Sequence, residues 1–159
     1  MVYLKAGLHR FKHQTAINNI ITILDHGPIY RLAFLRELGP EITLSTLFKS
    51  WWTNVLKQWE DTLDLIIWLD APNEILFNRI RQRDKSHTIK DKGKQEGIEF
   101  LTHYRTFMQK TINELSEDRK TTLIRFDTSQ ISLEQIGNQV FDTFDVLQNN
   151  KTIMQHVSV

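Results

Sequence analysis

Three aspartates, each closing an apolar run, and one dense group of cations are the residues that could do chemistry. Asp25 follows Ile20–Leu24 and opens Asp25-His26-Gly27-Pro28. Asp70 follows Leu65–Leu69 and opens Asp70-Ala71-Pro72, and Asp127 follows Leu123–Phe126 and opens Asp127-Thr128-Ser129. Between the second and third lie Arg79, Arg81, Arg83, Lys85, Lys90, Lys92 and Lys94, against only Asp84 and Asp91. Phosphoryl transfer asks for a phosphate cradle, magnesium, a group that orients the nucleophile, and cations for the equatorial oxygens. A carboxylate at a strand end can hold magnesium through water or act as general base. Asp25 stands in such a place, and Gly27 lets a ligand approach the backbone; the plainer reading makes Asp25 a turn-former before a helix. Arg79 and Arg83, four residues apart, share a helix face, and guanidinium forks grip phosphates bidentately. Cations at a helix C-terminus also simply complement the macrodipole. His26 is either a proton shuttle or a hydrogen-bonded loop residue. The other histidines (9, 13, 87, 103 and 156) form no metal-ligand grouping. Trp51, Trp52 and Trp59 read first as core, with base stacking as the alternative.

The elements that must position these groups follow from periodicity and punctuation. Residues 3–18 read as a helix. Ile20–Leu24 is a short β-branched run ending in breakers, a buried strand. Pro28–Leu38 is a helix with Pro in its first turn and Gly39-Pro40 past its end. Thr43–Leu63 is a longer helix with apolar residues three and four apart. Leu65–Leu69 is apolar on both faces, as central parallel strands are. Pro72 to about Arg83 is a helix, residues 84–93 a polar basic loop, and Lys94–Ser116 a long helix. Leu123–Phe126 is a third strand. Ser132-Leu-Glu-Gln135 is a capping box for a last helix to about Leu147, with 148–159 a flexible tail. Strands alternating with helices predict an α/β fold with a parallel sheet, and ligands then sit beyond the carboxyl ends of the strands.

Composition narrows the classes. The chain has 159 residues, 40% apolar and 10% aromatic, enough for a core and too apolar for general disorder. It has no cysteine, which excludes disulfides, Cys-ligated zinc and a thiol nucleophile. The longest unbroken apolar run is Leu65–Leu69, so no membrane partner is expected. The start has no apolar signal region, which leaves a cytoplasmic location as the expectation. The net charge of +1 hides an asymmetry, because residues 79–94 carry +5 in sixteen residues. Such a segment suggests an anionic ligand, or a solvated helix end and loop.

The ordered motifs resemble the P-loop nucleoside and nucleotide kinases, with thymidylate and deoxynucleoside kinases the nearest kin. The resemblance rests on Asp25-His26-Gly27-Pro28, on Leu65–Pro72 leading into Glu74–Arg83, and on a long helix and a strand ending at Asp127. It covers residues 18–147 and implies a three-layer parallel sheet with flanking helices. It implies Asp25 as the base or the magnesium-linked acid, and Arg79, Arg81 and Arg83 as lid arginines in a lid of about 79–94. It places Thr128, Ser129 and Gln130 near the adenine. ATP and magnesium would be the cofactors of the complete fold, and a nucleoside or nucleotide the small-molecule partner. Where the family has Arg after the first acid, this chain has His26, with Arg31 or Arg36 as substitutes.

The family's G-x-x-x-x-G-K-[ST] unit and the strand before it have no counterpart here. The six glycines (7, 27, 39, 93, 97 and 137) never cluster, and the one Gly-Lys pair, Gly93-Lys94, is followed by Gln95. The expectation is therefore an incomplete kinase-like domain over residues 1–147, with about three strands and no turnover alone. A separately encoded front part or a homodimer would be its protein partner. The alternatives are a non-catalytic remnant that binds an anion or a partner, and a small α/β nucleic-acid-binding protein. The basic segment lacks interleaved aromatics, which counts against nucleic acid.

Overall fold

The structure is a computed structural model that describes residues 7–8, 21–25, 27–116 and 121–157, with side chains to residue 149. Among the described residues, five long helices and two strands follow in the order α1 (Gly27–Leu38), a 3-10 turn (Glu41–Leu44), α2 (Thr46–Glu60), β1 (Leu65–Asp70), α3 (Asn73–Gln82), α4 (Lys94–Ser116), β2 (Thr122–Asp127) and α5 (Leu133–Val157). The chain divides into two compact units, one of Met1–Leu63 with His103–Thr121 and one of Asp64–Thr102 with Thr122–Val159.

The described residues of the first unit are mainly helical. Ser45 caps α2, its hydroxyl accepting from the Phe48 N–H at 3.2 Å. That cap is why the expected helix from Thr43 begins at Thr46, with residues 41–44 a tighter 3-10 turn. Phe48, Trp52, Val55, Leu56 and Trp59 recur at helical spacing and are buried. Trp52 donates its indole N–H to the Leu32 carbonyl at 2.9 Å, so α1 and α2 are tied by a satisfied polar group as well as by packing. Arg36 of α1 forks onto Glu114 of α4 at 2.7 and 2.9 Å, reaches Thr111 at 2.9 Å and lies over the Trp52 ring at 4.4 Å. Tyr30 and Tyr104 face each other at 6.2 Å, and burial, with Tyr30 adding, pushes the Tyr104 phenol up to about 12.

The second unit is α/β. Strands β1 and β2 pair in parallel, Leu65 opposite Thr122 through Asp70 opposite Asp127. Leu69 is 54% exposed and Ile67 41%, so β1 carries one open apolar face rather than the two covered faces expected of a central strand. Phe77 of α3, Ile89 of the following loop and Leu101 of α4 form the buried cluster that joins helices and loop. Gly97 lets α3 and α4 come close: a Cβ there would lie 2.4 Å from the Phe77 ring.

Two expectations about the elements are corrected. The strand over residues 20–24 is absent where it is described: residues 21–24 are irregular and Ile23 is 88% exposed. A β-branched run becomes a strand only when a neighbour completes its ladder. The described residues hold a two-stranded sheet, not about three strands. Helix α5 ends at Val157, past the end expected near Leu147. The helix expected over residues 3–18 lies outside the described residues except for Gly7 and Leu8, which are helical.

Candidate functional site

Two of the three strand-end acids meet at one edge, because the parallel register sets Asp70 opposite Asp127. Asp70 is buried, and both its carboxylate oxygens are engaged. Oδ1 accepts from the Ala71 N–H at 2.9 Å, and Oδ2 from Arg125 Nη2 at 2.5 Å. The same guanidinium lies 4.6 Å over the ring of Trp68, its register partner. Period-two alternation explains this cluster: Trp68, Asp70, Arg125 and Asp127 share a sheet face.

The turn after β2 is built around its acid. Asp127 Oδ1 accepts from the Ser129 N–H at 2.9 Å and from its hydroxyl at 2.6 Å, an Asx turn. These two bonds, with Arg79 nearby, hold the exposed Asp127 carboxyl below the usual carboxylate range. Ser132 and Gln135 then close the expected capping box, at 3.2 and 3.0 Å.

Arg79 ties the helix after β1 to the turn after β2. It donates from Nη1 to the Thr128 hydroxyl at 2.7 Å and from Nη2 to the Thr128 carbonyl at 2.9 Å. Thr128 in turn donates to the Asp70 carbonyl, from its hydroxyl at 2.9 Å and its N–H at 2.8 Å. The structure thus brings together Arg79 and Thr128, two residues singled out in the sequence, and adds Asp70 and Arg125. It also gives Arg79 a tethering role, where the sequence left it a phosphate ligand or a macrodipole partner. No family model, curated protein or solved structure matches the chain.

The other candidates fall into place one by one. Arg81 is exposed and lies 5.6 Å over the Phe77 ring. Arg83 is the exposed C-cap of α3 and opens the basic loop. Ser129 serves the Asx turn, and Gln130 donates its N–H to the Asp127 carbonyl at 3.0 Å. In the first unit, Asp25 is exposed on a bend before α1. Gly27 opens that helix, and a Cβ there would meet Leu24 at an ordinary 3.4 Å, so no close approach demands glycine. Arg31 is exposed beside the Tyr30 ring, whereas Arg36 is held by Glu114, Thr111 and Trp52. His26 lies outside the described residues.

At the strand edge each Asp70 oxygen already accepts one hydrogen bond, and Asp127 Oδ1 accepts two from Ser129. Among the described residues no three acids or histidines converge on a point. No described helix is long and apolar enough to cross a membrane. Sequence reasoning passed over Arg125, whose partner depends on strand register, and Ile89, the one apolar residue of the basic loop. Ile89 was legible as an anchor, since the one large apolar side chain of a ten-residue polar loop has few other uses.

Proposed function

We propose that this chain is kin to the P-loop nucleoside and nucleotide kinases and binds the phosphate end of a nucleotide beside the carboxyl edge of β1 and β2. One observation carries the reading. An arginine-bearing helix leaves one strand end and is fastened by Arg79 to the turn at the neighbouring strand end, so that the cations of residues 81–94 follow directly from that edge. Ligands of open α/β sheets gather at such carboxyl edges. The chain's own residues supply cations and a rigid turn. The phosphate cradle of the family has no counterpart in the sequence, so the chain alone binds without turning over.

The test is a titration of ATP and of a nucleoside monophosphate onto the full chain, beside an ATP-turnover assay with magnesium. Saturable binding with no turnover is the expected result. ATP turnover that Asp25→Ala abolishes would overturn the non-catalytic part. Tighter binding of single-stranded DNA than of any nucleotide, falling steeply with salt, would favour the nucleic-acid reading instead.

A further inference from the structure

The seven cations of residues 79–94 are not equivalent. Arg79 is committed to Thr128, and Arg81 lies over Phe77. Lys90 donates its ammonium to the Arg83 carbonyl, Lys92 pairs with Glu96, and Lys94 pairs with Glu74 at 3.2 Å. Only the Arg83 and Lys85 side chains carry no partner among the described residues. With Gln82 and Asp84 they line an open cavity of about 400 Å³ at the end of α3.

The loop that presents them is held in place. Residues 81–88 are all exposed, then Ile89 is fully buried against Phe77 and Leu101. The Ile89 N–H donates to His87 Nδ1 at 3.3 Å, and the Lys90 N–H to the His87 carbonyl at 3.0 Å. With Lys90 bound back to Arg83, both ends of the arc 83–90 are fastened. A fastened arc loses little conformational freedom when a ligand arrives, which favours affinity.

We infer that Arg83 and Lys85 form a metal-independent oligophosphate site, with Gln82 as a neutral donor and Arg79 as a positioning residue only. This rests on the nucleotide reading but sharpens it, by moving the anion contact from Arg79 and Arg81 to Arg83 and Lys85. The planar fork of Arg83 grips two oxygens of one phosphate, and Lys85 acts as a point charge on the next. Asp84 is the one acid lining the cavity, and it opposes binding. That sign separates a bare anion from a magnesium-chelated one, because a metal-bridged phosphate would use Asp84 as a ligand.

The test is isothermal titration of the full chain with inorganic tripolyphosphate in chelator-containing buffer, and separately with ATP. Arg83→Gln with Lys85→Gln is expected to weaken tripolyphosphate binding about tenfold or more, as loss of two charge-assisted contacts requires. Asp84→Asn should strengthen it about twofold or more, as removal of the one opposing charge requires. The swap Arg83→Lys with Lys85→Arg keeps the charge and should retain most of the affinity, whereas a fold defect would lower both double variants alike. Unchanged affinity in the glutamine double variant, or weakening by Asp84→Asn, overturns the assignment. If tripolyphosphate binds as expected and ATP binds no better, the anion site stands and the nucleotide reading fails. If ATP binds but is indifferent to Arg83 and Lys85, the reverse holds.

Discussion

Replacing Gly97 by alanine sets two known effects against each other. Gly97 lies in the first turn of α4, and an alanine in a helix is worth about 1 kcal/mol over glycine. The added Cβ, however, would sit 2.4 and 2.6 Å from two ring carbons of Phe77, about an ångström or more inside the usual carbon–carbon contact of about 3.5–4.0 Å. Phe77 is itself buried and packed with Ile89 and Leu101, so its ring has nowhere to withdraw. Overpacking of this kind costs about 1–3 kcal/mol, and an overlap so large belongs at the upper end. The clash wins, for a net loss of about 2 kcal/mol, or about 4–8 °C of melting temperature in a chain of this length. Urea unfolding followed by far-UV circular dichroism reads the change. Phe77→Leu in the Gly97→Ala background should recover at least about 1 kcal/mol, a coupling that two independent sites do not show. A more stable Gly97→Ala variant would refute the close approach of α3 and α4.

Three further outcomes follow from the same edge and loop. Arg79→Gln and Thr128→Val should each destabilise, and together show a coupling of about 1 kcal/mol, since charge-assisted bonds to a half-exposed partner are worth less than buried ones; zero coupling would remove the tether. Ser129→Ala should let the Asp127 carboxyl titrate closer to the ordinary carboxylate range, as read by carboxyl carbon chemical shifts. Because folding depresses that pKa, its stabilisation is present above the unfolded value and is lost as pH falls through the folded one, so Asp127→Asn should flatten the acid limb of the stability profile. Ile89→Ala should cost about 2–5 kcal/mol as a buried large-to-small change and loosen the arc that carries Arg83 and Lys85, weakening tripolyphosphate binding as well.

Much of the second unit was legible because its signals are local. Leu65–Leu69, Lys94–Ser116, Leu123–Phe126 and the Ser132–Gln135 capping box depend on patterns within one element, and each stands where it was expected, within a residue at its ends. The run over residues 20–24 failed for the opposite reason: β structure needs a neighbour, and a β-branched run alone does not supply one. The same holds for the site. The strand-end acids could be read from sequence, but the burial of Asp70 under Arg125 depends on register, which a one-residue slip would reverse. Arg79 and Arg83 looked alike as a four-residue pair. Their roles separate because Thr128 lies within reach of Arg79, a fact of the tertiary fold.

The proposed anion-binding site lies in the segment after β1, beside the carboxyl edge of the sheet. Backbone amide chemical-shift mapping during an ATP titration of the full chain tests it most directly. Saturable shifts are expected, centred on residues 82–85, with smaller ones at residues 127–130. Shifts confined to other segments, or none at millimolar ATP, would contradict it.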